Sequence, residues 1–265
     1  MPETLSPWTA LLLGWLGAAL VMAALWAVQV RTKDASAVDV AWAALLGLLA
    51  IFYAAVGAGD PQRRLVLAVL TALWAFRLAL YLLVNRVIGK PEDGRYQALR
   101  TSWGASAQRN FFLFFQAQAG FDLVFSIPFL VVAYNRAPAL AWTDWAGAAV
   151  IAVAILGESI ADRQLARFRA DPASRGRTCR VGLWNYSRHP NYFFEWLHWW
   201  AYPLLAAGSP WWWVTLLGPA FMLYLLFKVT GIPATEAQAL RTRSDYAEYQ
   251  RTTSAFVPWF RKETR

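Results

Sequence analysis

A chain of 265 residues that is 58% hydrophobic and only 15% charged, with 16 tryptophans, falls outside the soluble class, whose domains are about a quarter charged. Its single cysteine, Cys179, excludes an internal disulfide and a cysteine-based zinc site. No GxGxxG, no GxxxxGK[ST] and no internal repeat accompanies the net charge of +9, so the common nucleotide-loop folds are excluded as well.

Runs of about 18 or more apolar residues can each cross a hydrocarbon core as a helix. Seven such stretches are expected, at Pro7–Val30, Val38–Val56, Leu65–Ile88, Phe111–Tyr134, Trp145–Ile160, Tyr192–Ala207 and Trp211–Thr230. The predicted fold is therefore all-α and polytopic, with residues 1–265 forming one integral membrane domain and a cytoplasmic tail from about 231. The first stretch is too long and too poor in cations for a cleaved signal peptide. The second opens with Asp39 in AVDVAWAAL, where an acid near a helix start is an ordinary cap.

The third stretch carries Arg77, Tyr81 and Asn85 at i, i+4 and i+8, on one helical face, with Arg86 following. A guanidinium in mid-span needs an acceptor, either a carboxylate of another helix or a bound anion. The fourth stretch offers Asp122, too deep for a cap, as the obvious partner for Arg77. The fifth ends in GESIADRQLARFR, with Glu158 and Asp162 again at i, i+4.

A basic connection follows, with Arg163, Arg167, Arg169, Arg175, Arg177 and Arg180. The sixth stretch starts at Arg188, His189 and Pro190, then places Asn191, Glu195 and His198 along one stripe. Proline suits a first helical turn, whose free amides attract a phosphate or carboxylate; the alternative is a snorkelling membrane boundary. With seven spans, every Lys and Arg of the 25 except Arg63, Arg64, Arg136 and the intramembrane Arg77 lies on one face. The positive-inside rule puts that face in the cytoplasm and the N-terminus outside.

Metal and nucleophilic chemistry are not expected. Glu195-x-x-His198 with Glu158 and Asp162 imitates half of a di-iron carboxylate site, but the only other histidine is His189. No Ser or Cys stands beside a buried base.

GLWNYSRHPNYFFEW, the RLALYLLVNR face and the tail SDYAEYQRTTSAFVPWF resemble the steroid 5-alpha-reductase family, and within it a bacterial branch of membrane proteins with a domain of unknown function. The resemblance runs from about Asp39 to Phe260. The motif Arg188-His189-Pro190-Asn191-Tyr192, with Glu195 following, is also similar to isoprenylcysteine carboxyl methyltransferases, which bind S-adenosylmethionine. What the resemblance implies is a cytosol-facing cofactor site held between transmembrane helices. Arg77, Tyr81, Asn85 and Arg86 resemble the reductases' third helix, and Asp162, Arg169, Asn191, Tyr192 and Glu195 match cofactor-contacting or cavity positions. Arg188 and His189 join them through the helix-terminus argument.

Electrostatics favours NADPH, whose phosphates carry about three to four negative charges, over a sulfonium with no phosphate. At the substrate end the nearest equivalents of the family's polar pair and tyrosine are Asp39 and Trp74, and an indole is no acid. The expected activity is NADPH-dependent reduction of a carbon–carbon double bond conjugated to a carbonyl, in a steroid-like or fatty acyl substrate. Asp39 or Tyr81 would stabilise the developing enolate, Trp74 lying at the substrate end. Alternatives are an S-adenosylmethionine-dependent lipid methyltransferase and a non-catalytic transporter or scaffold. The expected setting is a bacterial inner membrane crossed several times, with no nucleic-acid partner.

Overall fold

The computed structural model describes residues 5–229 and 231–262. Thr230, the expected end of the seventh span, lies outside the described residues. No strand forms among these residues; a single parallel bridge joins Ser187 to Ser254.

α1 spans Pro7–Thr32. Its start is written in Ser6, whose hydroxyl accepts from the Thr9 amide, and in Pro7 at the first helical position. α2 is Ala37–Val56 and α3 is Pro61–Leu82, the latter capped by Asp60 and prolonged by a π-helical turn, Leu83–Val87. α4 (Gly94–Trp103) and α5 (Ala107–Ala133) follow almost without a break, and α6 is Trp142–Ala170. Then come α7 (Pro190–Trp199), α8 (Ala201–Leu205), α9 (Leu217–Tyr224), α10 (Ile232–Thr242) and α11 (Tyr246–Thr252).

By length and composition, six of these helical stretches can cross a membrane: α1, α2, α3 with its π turn, α4–α5, α6 and the run from Trp212 to Thr242. The segment expected as a sixth span differs. α7 has 10 residues, which at 1.5 Å per residue is about half the thickness of a hydrocarbon core. Pro203 has no N–H to continue the ladder, and the chain restarts as the five-residue α8.

The chain divides into two compact units, Met1–Trp145 with Tyr202–Leu217, and Ala146–Ala201 with Gly218–Arg265. In the first, α5 lines its inner face with Phe111, Phe115, Phe125 and Phe129, all buried, while Leu12, Leu20, Leu73 and Leu80 leave apolar surface outside. Such an exterior suits lipid. Arg63 and Asp144 form a bidentate pair at 2.7 and 3.0 Å, and Arg63 also donates to the carbonyls of Ala137 and Ala139. Both side chains are almost fully buried, at 1% and 2% exposure, so this corner depends on complete pairing.

In the second unit, α7 lies against α6 where Gly157 removes a side chain. A Cβ there would stand 2.3 Å from the Phe194 ring. Phe193, Trp196 and Phe227 pack edge-on against Phe256, which joins the tail to α7.

Candidate functional site

The C-terminal turns of α6 carry Asp162, Leu165 and Arg169 at i, i+3 and i+7. The chain leaves the helix at Asp171–Pro172 through a short 3-10 turn, Pro172–Ser174, and then folds back onto it. Trp184 donates its indole N–H to the Ala161 carbonyl at 2.9 Å, and the Leu183 amide donates to Gln164 Oε1 at 2.9 Å. Gly182, at φ +56°, permits this approach, since a Cβ would lie 2.1 Å from the Gln164 side-chain nitrogen.

Between the end of α6 and the returning loop lies a cavity of about 220 Å³. Its walls carry Arg169, Arg175, Arg177 and Arg243, with Leu165, Phe168 and Cys179 contributing apolar surface. Among the described residues, none of these four guanidinium groups makes a hydrogen bond or ion pair. Four like charges around one concavity repel, and an oxyanion that several can grip at once relieves this. Cys179 is buried, and burial pushes its thiol up, so it serves as wall and not as a nucleophile.

The loop is pinned from below by α11. Asp245 accepts from the Thr178 amide at 3.1 Å and hydroxyl at 2.6 Å. Arg180 donates to Glu248 at 2.7 Å and lies over the Tyr249 ring. Of the arginines in the basic connection, Arg180 is thus structural.

The start of α7 is organised differently from the open anion site expected there. Arg188 donates to Glu236 at 2.6 Å and to the carbonyls of Gln250 and Thr253 at 2.9 and 2.6 Å. His189 stacks on Tyr192 and reaches the same carboxylate at 3.2 Å. The helix start does meet an anion, but that anion is Glu236 of α10, so Arg188 and His189 dock the tail.

Asn191, Glu195 and His198 do share one helix. Asn191 donates to Asp162 at 3.4 Å, Tyr192 OH is 3.5 Å from Thr235 Oγ1, and His198, fully buried, meets the Glu195 carbonyl at 3.3 Å. Asp162 is buried at the mouth of this face.

In the first unit the expected residues divide. Trp74 is fully buried, and Arg77 and Tyr81 are partly buried on α3. Asn85 is exposed and donates back to the Tyr81 carbonyl at 2.8 Å. The π turn adds a residue to the winding and rotates Asn85 off the expected face. Both oxygens of Asp39 are occupied, one by Tyr96 OH at 2.6 Å and the other by Arg95 at 2.6 Å, with Arg86 at 3.5 Å. Asp39 thus accepts from two residues of α4 and ties the start of α2 to that helix. The expected Arg77–Asp122 brace does not form, since neither Asp122 oxygen has a hydrogen-bond partner.

Arg243, Glu236, Arg95 and Tyr96 were not singled out in the sequence. Arg243 and Arg95 were counted only toward topology, and no local spacing links Arg243 to Arg169, which is 74 residues earlier. No group of three or more His, Cys, Asp or Glu side chains among the described residues is arranged to hold a metal.

A model of the DUF1295 family, described as a protein of unknown function, matches residues 25–253. An uncharacterized protein of Schizosaccharomyces pombe is 28% identical over 209 residues, which is 69% of this chain. The chain spans 60% of the length of that curated relative. No solved structure matches significantly.

Proposed function

The chain belongs to the DUF1295 family, and we propose that it is a membrane reductase using NADPH to saturate a carbon–carbon double bond conjugated to a carbonyl in a lipid-soluble substrate. The observation that carries this reading is the cavity lined by Arg169, Arg175, Arg177 and Arg243, whose side chains have no acidic partner among the described residues. Its volume suits one or two phosphate groups and not a whole dinucleotide, so it fits the phosphate end of a nucleotide. Arg169 and Arg177 would grip phosphate oxygens in a fork, and Arg243 would close the pocket from the tail. Asp162 and Asn191, already in contact, would orient the remainder, with Glu195 one turn further along α7. Bound NADPH would supply a hydride to the carbon β to the carbonyl.

The likeness of RHPNY and RLALYLLVNR to the steroid 5-alpha-reductases supports the same reading. So does the concentration of cations, which argues for a cytosolic cavity, an external N-terminus and seven crossings of a bacterial inner membrane, α7 and α8 forming a broken one. S-adenosylmethionine carries no phosphate and would leave the four arginines unused.

The test is titration of detergent-purified protein with NADPH, NADH and S-adenosylmethionine. NADPH should bind with strongly salt-dependent affinity, and NADH should bind more weakly. Arg169→Ala, Arg177→Ala and Arg243→Ala should each weaken NADPH binding by about tenfold, the loss of one charge-assisted contact. Saturable S-adenosylmethionine binding without NADPH binding would transfer the chain to the methyltransferase reading.

A further inference from the structure

α5 presents Phe111, Phe115, Ala119, Asp122 and Ser126 along one stripe, and all five are buried. Four are small or apolar, as a helix packed inside a membrane protein requires. The exception is Asp122, at 0% exposure, with both carboxylate oxygens lacking any hydrogen-bond partner. Ser126, one turn on, does not serve it: its hydroxyl lies 3.1 Å from Tyr53 OH and donates to the Leu123 carbonyl at 2.9 Å.

A second orphan stands in the same unit. Trp42 of α2 packs its ring edge-on against Phe125, centroids 5.9 Å apart, and Phe125 is one turn along α5 from Asp122. The indole Nε1–H of Trp42 is buried and donates to nothing. A lone donor and a lone acceptor, both desolvated and linked through Phe125, are costly unless a further group satisfies them.

The chemistry of that further group is constrained. A carbonyl accepts from the indole but gives nothing to the carboxylate. A cation satisfies the carboxylate but cannot accept from the indole. A hydroxyl does both, donating its proton to the carboxylate while a lone pair accepts the indole N–H. We infer that Asp122 and Trp42 form a binding site for the hydroxyl group of a lipid-soluble alcohol in the seam between α2 and α5. The aromatic surroundings, Phe115 and Phe125 among them, would hold its hydrocarbon. This site does not depend on the reductase reading.

The experiment uses full-length protein in phosphatidylcholine nanodiscs and a tritiated, diazirine-bearing long-chain primary alcohol, compared with the methyl ether of the same chain. The alcohol should label saturably, with the cross-link mapping to peptides of α2 or α5. The ether, which cannot donate, should label at least about tenfold more weakly. Asp122→Leu should abolish saturable labelling. Trp42→Phe, which keeps a packed ring and removes only the N–H, should weaken it by about tenfold and leave the melting temperature unchanged, so the idea is tested even if Asp122→Leu misfolds. Equal labelling by alcohol and ether overturns the inference. So does wild-type labelling of both variants, or an absence of saturable labelling, which would mean that the seam holds water alone.

Discussion

Glu236 holds three side chains at once: Arg188, His189 and Gln250, the last at 2.7 Å. Replacing it leaves a guanidinium that is 11% exposed without a counter-charge. Glu236→Ala should therefore destabilise the docking of the tail by about 3–5 kcal/mol, the cost of breaking a largely buried pair. The check is faster hydrogen exchange across α10 and α11 with α5 unaffected. Asp245 makes a pH prediction. Against the upward push of burial, hydrogen bonds from Thr178 and the charge of Arg180 hold its carboxyl below the usual range. A depressed carboxyl contributes stability above its unfolded value, near 4, and loses it as pH falls through the folded one. Protection of the Thr178 amide, corrected for intrinsic exchange, should be flat from about pH 6 to 8 and fall below about pH 4. Asp245→Asn should remove that acid step. The stripe Asn191–Glu195–His198 was legible because 3.6-residue periodicity is local. Glu236 was not, since it lies 47 residues from His189 and no spacing announces it.

At the scale of elements, α6 and α7 approach closely only because Gly157 has no side chain. Gly157→Ala must displace the Phe194 ring and should cost about 1–3 kcal/mol, read as a lower unfolding midpoint. The fork between Arg63 and Asp144 joins the first turn of α3 to the first turn of α6. Arg63→Ala should lose about 3–5 kcal/mol, and Asp144→Ala as much, with the double variant recovering part of the loss in a mutant cycle. Apolar periodicity located α1, α2, α3 with its π turn and α5 within about four residues, but it missed the polar α4 and ended α6 ten residues early. It overran at α7, where Pro203 divides a greasy segment, and at α3, where a π turn changes the register of Asn85. Hydropathy measures how greasy a segment is and is blind to where its hydrogen-bond ladder is cut.

For the whole molecule, the bias of Lys and Arg makes orientation testable. A fluorescent-protein fusion after Arg265 should be bright in bacterial cells and an alkaline phosphatase fusion there inactive. The reverse pattern would put the arginine cavity outside and separate it from any cytosolic nucleotide.

The sequence by itself determined that this is a helical membrane protein with an unusually basic connection between its fifth span and the RHPNY segment. Both properties sum over neighbouring residues, so burial and charge can be read along the chain. Tertiary structure decided which cations are spent. Arg180 and Arg188 are taken by Glu248 and Glu236, whereas Arg169, Arg175 and Arg177 meet Arg243 around a cavity. Pairing of charges depends on groups that only folding brings within a few ångströms, because the energy of an ion pair is set by distance and burial and not by order in the chain.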